Sequence, residues 1–238
     1  MMDIESHTMV FLRDLLATRA VEDPELTAFL ACWVYEELWH GEALGRFLRT
    51  AGVAVEPGER ARAVRQSLGA RGRARHIGML LGGAAFRDFP AVHVTWGAVN
   101  ELSTLTAYER IIAATANPVL ADLLQRIVRD ERRHYSFYRA EAQRRLEAAA
   151  AARRLTRVAL DRTWAIVGTG VRPLDETDFV VLHLFGDEEG AAAAAGMDTK
   201  VHSLPGLDGL WLFQRARQRA LSRTRRPSRG SGGMVFQR

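Results

Sequence analysis

A helix that carries charge on its apolar face has to find something to neutralise it, and this chain poses that problem twice. Around Trp33-Val34-Tyr35-Glu36-Glu37-Leu38-Trp39-His40, helical period places Leu30, Trp33, Glu37, His40, Leu44 and Phe47 on one stripe. Glu37 and His40 therefore point, roughly 60° apart around the helix, into what should be core. A buried carboxylate without a partner is costly. The pattern returns at Asp130-Glu131-Arg132-Arg133-His134, where Leu120, Leu124, Ile127, Glu131, His134 and Tyr138 share a stripe. Two Glu-x-x-His pairs on two helices point to a pair of metal ions.

The remaining helices follow from period and punctuation. Residues 2–19 read as a first helix with Glu5, Met9, Leu12 and Leu16 on one stripe. Asp23-Pro24-Glu25 opens the second, with Asp as N-cap and Pro in the first turn, and Gly52 ends it just after Thr50. From Glu59 to Leu81 comes an arginine-rich stretch, read as one or two helices broken near Gly69 to Gly72. The third long helix spans Pro90 to Ala116, with Val94, Gly97, Ala98, Glu101, Leu105, Tyr108 and Ile112 inward. Asn117-Pro118 starts a fourth that continues to Arg153, where Glu141 either extends the stripe or marks its exit to solvent. Beyond it the pattern weakens, leaving shorter helices at Leu155–Val167, Glu176–Phe185 and Leu207–Leu221.

This is an all-α chain: a four-helix bundle with additional helices between helices 2 and 3 and at the C-terminus. The expected division is a bundle over residues 1–154, a helical extension packed on it over 155–222, and a disordered basic tail over 223–238. Cys32 is the single cysteine, which excludes an intrachain disulfide and a cysteine-rich metal site. No signal peptide and no apolar run long enough to span a bilayer is present, so a cytoplasmic protein is expected. The net charge of +5 is almost all arginine, Lys200 being the only lysine. The basic stretches lack a nucleic-acid motif or interleaved aromatics, so no nucleic-acid partner is expected.

Four long helices each bring an acid to the core stripe: Glu5, Glu37, Glu101 and Glu131. Two add a histidine one turn on, His40 and His134. This is the carboxylate-bridged di-iron plan of helical bundles, with two helices giving Glu and two giving Glu-x-x-His. Four carboxylates nearly balance two divalent irons, and two neutral imidazoles complete the ligand set while leaving open positions. One such pair alone is usually a surface feature. Two at the same depth, with intervening acids, are not. Glu5 sits close to the terminus, and frayed termini hold ligands poorly. Glu109, eight residues past Glu101 and roughly 80° round the helix, is the rival on the third helix.

At these residues the sequence resembles the soluble acyl-carrier-protein desaturases of the ferritin-like superfamily. The resemblance covers residues 3–150. It rests on Trp33, Glu36, Glu37 and His40 as Trp-x-x-Glu-Glu-x-x-His, on Glu101 and Thr104 as Glu-x-x-Thr, and on Asp130, Glu131 and His134 as Asp-Glu-x-x-His. It implies a ferritin-like bundle holding two iron ions on Glu5, Glu37, His40, Glu101, Glu131 and His134. Asp130 and Glu36 are then expected to reach across to the opposite helix's histidine, since a ligating histidine donates its other ring N–H to a carboxylate. Thr104 is implied on the oxygen-binding side, where a hydroxyl delivers protons, and Trp33 on an electron route, with a plain core aromatic as the alternative.

The implied activity is a dioxygen-dependent oxidase that desaturates, or otherwise oxidises a C–H bond of, an acyl chain on an acyl carrier protein, with a ferredoxin-like electron donor; a homodimer is compatible with it. Arg60, Arg62, Arg65, Arg71, Arg73 and Arg75 are candidate docking residues for an acidic carrier, a solvated basic face being the alternative. Other readings stay open: a hydroxylase or N-oxygenase of a small molecule, a ferritin- or rubrerythrin-like iron or peroxide handler, a radical-generating subunit using Tyr35, Tyr108 or Tyr138, and a non-enzymatic bundle. Residues 155–222 match no desaturase motif.

Overall fold

The structure, a computed structural model, describes residues 1–8, 18–55, 83 and 86–224. Among them the chain is all helix: α1 (Met2–Glu5), α2 (Pro24–Thr50), α3 (Phe89–Ala114), α4 (Pro118–Ala148), α5 (Ala150–Thr163), α6 (Leu174–Phe185), α7 (Glu188–His202) and α8 (Leu212–Thr224). The architecture is a ferritin-like helical bundle. No helix among the described residues is long and apolar enough to cross a membrane. The arginine-rich stretch expected to be helical between helices 2 and 3 lies outside the described residues, as do Met9, Leu12 and Leu16.

The long helices start and stop where the sequence punctuates them. Asp23 accepts a hydrogen bond from the Leu26 amide at 3.1 Å, and Pro24 fills the first turn. Gly52, at φ +82°, takes the left-handed conformation that turns the chain away after α2, which costs glycine no Cβ clash. Asn117 caps α4 through the Val119 and Leu120 amides at 3.0 and 3.1 Å.

Several helix boundaries differ from those read in the sequence; the helix expected over Leu155–Val167 spans Ala150–Thr163, and three others are instructive. The first helix does not run unbroken to residue 19: Thr18 is extended and caps a 3-10 turn over Arg19–Glu22. The fourth helix breaks at Ala149 rather than continuing to Arg153. Local propensity gives no hint of this in an alanine run. The Arg153 guanidinium donates to the Leu146 carbonyl at 2.7 Å and to that of Glu147 at 3.3 Å, satisfying acceptors that the broken ladder leaves open. The last helix starts at Leu212, not Leu207, because Asp198 of α7 accepts from the Phe213 and Gln214 amides. It runs to Thr224, past the start of the expected tail; residues 225–238 lie outside the described residues. α7 itself was not foreseen, though Asp187 caps it through the Gly190 amide.

The core positions a polar layer between two apolar ones. On α2 the order is Trp33, then Glu37 and His40, then Leu44. On α3 it is Ala98, then Glu101, then Leu105 and Tyr108. On α4 it is Ile127 and Val128, then Glu131 and His134, then Tyr138. Trp33, Ala98 and Tyr138 belong to one apolar cluster, which continues through Leu160, Leu184, Met197 and Phe213 of the C-terminal helices. Leu44, Leu105, Tyr108, Ile127 and Val128 belong to a second, capped by Met2 of α1. The carboxylates and imidazoles are thus sandwiched at one depth.

The third bundle helix is buried on most sides, not along one stripe. It packs along α4 and against α5, α6 and α7. The amphipathic pattern of α3 is correspondingly weak, and its inward stripe is only part of a wider buried surface.

Candidate metal centre

Glu5 of α1 and Glu37, Glu101 and Glu131 of the long helices are buried at this depth, together with His40 and His134. Their ligand atoms form two overlapping groups. One is Glu5, Glu37, His40 and Glu131, the other Glu37, Glu101, Glu131 and His134, and within each group the atoms lie within 4.8 Å of one another. Glu37 and Glu131 belong to both. Glu109, the rival on α3, is exposed and paired with Arg132 at 2.9 Å, so the helical offset that separates it from Glu101 carries it out of the cluster.

Glu5 reaches the cluster because α1 lies close against α2. A Cβ on Gly41 would meet Ser6 Oγ at 2.7 Å and Glu5 Cβ at 3.4 Å. The absence of a side chain there allows the approach. The Tyr108 phenol donates to Glu5 Oε1, fixing the carboxylate. Neither Gly41 nor Tyr108 was singled out for this in the sequence, although Tyr108 shares the stripe of Glu101.

The histidines are held crosswise. His40 Nε2 is 3.2 Å from Asp130 Oδ2 on α4, and His134 Nε2 is 2.6 Å from Glu36 Oε2 on α2. Arg133 ties the two outer carboxylates together, donating to Glu36 at 2.9 Å and to Asp130 at 2.7 Å. With the outer nitrogens engaged, each Nδ1 faces the cluster. His40 Nδ1 stands 3.3 Å from Glu131 Oε1, and His134 Nδ1 stands 3.2 Å from Glu37 Oε1. Trp33 Nε1 donates to Glu101 Oε1 at 2.9 Å.

The inward atoms, by contrast, lack hydrogen-bond partners: Glu37 Oε1, His40 Nδ1, both carboxylate oxygens of Glu131, and His134 Nδ1. Each such buried atom costs about 1–3 kcal/mol when left unsatisfied, and a native fold keeps few of them. Here they converge on one place. A cation between them satisfies all of them, and an oxygen-and-imidazole donor set suits a divalent first-row metal.

The electrostatics agree. Burial, then the charges of Glu5 and Glu131, push the Glu37 carboxyl well above its ordinary range, and burial with the Glu131 charge does the same to Glu101. Burial opposes ionisation of Glu131 too, but His134 and His40 outweigh it and hold its pKa at about 2. Burial would lower both histidines, yet the surrounding carboxylates raise them. Opposite shifts in neighbouring groups at one depth mark a cluster whose charges depend on one another.

Thr104, one turn on from Glu101, is buried and lines a cavity with Ile4, Ala107 and Val181. Of the tyrosines weighed as radical sites, Tyr35 is exposed, Tyr138 packs edge-on to Trp33, and Tyr108 is the one bonded to the cluster. The candidate docking arginines from Arg60 to Arg75 lie outside the described residues.

A helical bundle whose core holds carboxylates and Glu-x-x-His pairs at one depth defines the ferritin-like class with a metal-binding interior. Within that class, this chain belongs to the fatty acid desaturase family, whose sequence model matches residues 9–160, and it is accordingly an oxidoreductase. No curated protein and no solved structure matches it.

Proposed function

We propose that the chain is a di-iron oxidoreductase that uses dioxygen to desaturate, or otherwise oxidise a C–H bond of, an acyl chain presented on a carrier protein. One observation carries this reading: buried, unpartnered donor atoms converge in two groups that share Glu37 and Glu131. His40 with Glu5 would hold one ion and His134 with Glu101 the other, the two shared carboxylates lying between them. When bound, such a pair supplies the activation of dioxygen that no side chain can provide.

The protein's own residues do the rest. Asp130 and Glu36 orient the imidazoles and fix their tautomers. Tyr108 holds Glu5, and Trp33 holds one oxygen of Glu101 and offers an aromatic path for electrons from a ferredoxin-like donor. Thr104, buried one turn from Glu101 and lining the neighbouring cavity, would pass protons at Oγ1. The apolar layers above and below exclude water from the polar one. In desaturation, dioxygen takes four electrons: two from the donor and two that leave the acyl chain with two hydrogens. With two further protons it ends as two waters, and a C=C bond remains.

The test is iron analysis joined to turnover. Purified protein should carry about two irons per chain, and the reduced form should consume dioxygen and leave an oxidised acyl product detectable by mass spectrometry on an acyl carrier protein. Glu131→Ala removes a ligand from both groups and should abolish iron binding and turnover together. Full iron content and activity in that variant would refute the assignment, and manganese in place of iron would overturn the metal.

A further inference from the structure

The four buried acids are not held alike. Glu101 Oε1 accepts from the Trp33 indole N–H at 2.9 Å, and Glu5 Oε1 accepts from the Tyr108 phenol. Both oxygens of Glu131 and Oε1 of Glu37, by contrast, have no hydrogen-bond partner. The same division runs through the two groups of ligand atoms. Glu5 and Glu101 each belong to one group, whereas Glu37 and Glu131 belong to both. The acids that serve one ion are tied, and the acids that serve two are free.

The ties come from the two apolar layers that enclose the site. Trp33 belongs to the layer of Ala98 and Tyr138, and Tyr108 to that of Leu44 and Leu105. Both donors are buried, so no water replaces an acceptor that moves away. A donor stranded in an apolar layer is costly. If Glu5 or Glu101 turned both oxygens to one ion, or moved between the ions as a third shared acid, its Oε1 would be drawn off its donor. Each tie therefore weighs against that movement. An ion whose unshared acid offers a single oxygen is one ligand short of the set it would otherwise have.

We infer that Trp33 and Tyr108 are positioning residues that hold Glu101 and Glu5 to one metal-facing oxygen each, and so keep a position vacant at each ion for a small incoming molecule of the size of azide or dioxygen. The inference rests on the di-iron reading for the presence of two ions. Trp33 lies within a motif of the sequence; Tyr108 does not, and its role follows from its contact with Glu5 alone.

The experiment loads full-length protein with cobalt(II), whose visible absorption weakens as its coordination number rises, and titrates it with azide. Wild type should bind azide at both ions. Tyr108→Phe keeps the ring and removes the donor; azide should bind about tenfold more weakly at one ion, the effect of one buried hydrogen bond to a charged group. The visible absorption of that ion should fall as Glu5 turns its second oxygen to it. Trp33→Phe should do the same at the other ion, and Tyr108→Phe carries the test if that variant does not fold. Tyr138→Phe removes a hydroxyl from a buried ring packed edge-on to Trp33 and should leave azide binding unchanged. Cobalt content should stay at about two per chain throughout. Two ions with unchanged spectra and azide affinity in the tie variants overturn the inference alone. So does an equal loss in Tyr138→Phe, which would assign the effect to packing. Wild-type protein that takes up no divalent ion overturns the metal reading and the inference with it.

Discussion

Removing Glu36 separates a ligand-orienting role from a merely structural one. Its Oε2 meets His134 Nε2 at 2.6 Å, the shorter of the two crosswise contacts. Glu36→Ala leaves the imidazole in place but without the acceptor that fixes its tautomer. Outer-shell carboxylates of this kind are worth about 10–100-fold in metal affinity, or about 1.4–2.7 kcal/mol. The other consequence is minor. Arg133 loses one partner but keeps Asp130 at 2.7 Å and is 60% exposed, so its altered pairing contributes about 0–1 kcal/mol. The loss should fall on one binding step, that of the ion on the His134 side, because His40 retains Asp130. In excess iron(II), under anaerobic conditions, the thermal midpoint should drop by about 3–11 °C relative to wild type, at about 2–4 °C per kcal/mol for a chain of this size. Without metal the loss should be smaller, at most about 4 °C, from about 0–1 kcal/mol of Arg133 pairing at the same 2–4 °C per kcal/mol. Calorimetric titration resolves the steps and differential scanning calorimetry the midpoints. Equal losses with and without iron, or unchanged affinity at both steps, would refute the reasoning.

Two further outcomes follow from contacts elsewhere. Gly41→Val puts a branched side chain where even a Cβ would stand 2.7 Å from Ser6 Oγ; it should push α1 away, lower iron stoichiometry toward about one per chain, and leave the His134 side intact. Full stoichiometry would show that Glu5 is dispensable. Arg145 bridges Asp23, the cap of α2, and Glu141 at 3.0 Å. Burial raises both carboxyls, but the Leu26 amide and Arg145 outweigh it at Asp23, and Arg144 and Arg145 outweigh it at Glu141, so both sit below their ordinary values. Depressed carboxyls stabilise fully above their unfolded pKa values of about 3.9 and 4.3 and lose that contribution as pH falls through the folded ones. Urea denaturation of Arg145→Met between pH 3 and 7 should therefore show a shallower acid slope than wild type; an equal slope would remove the bridge from the argument.

Much of the site was legible because helical period is a local property. Glu37, His40, Glu131 and His134 lie three residues apart in pairs on apolar stripes, and nothing outside each helix was needed to see that both members of a pair face inward. Glu101 was legible on the same ground. The outer carboxylates were expected one residue before the inward acids Glu37 and Glu131, and the structure brings Asp130 to His40 and Glu36 to His134. The break at Ala149 was not legible. An alanine run favours helix on both sides, and the reason to stop is an arginine four residues on reaching back to free carbonyls.

By itself, then, the sequence determined that the long helices α2, α3 and α4 form and which of their faces carry acid and imidazole, since both depend on spacing along one element. Only the tertiary structure decided between Glu5 and Glu109, because that choice depends on where α1 lies. A glycine on α2 lets Glu5 in, and the offset from Glu101 sends Glu109 out to Arg132. Only the tertiary structure could place a cavity beside Thr104, because its walls come from residues more than sixty positions away in sequence. Such contacts are set by how helices pack, and no local period encodes them.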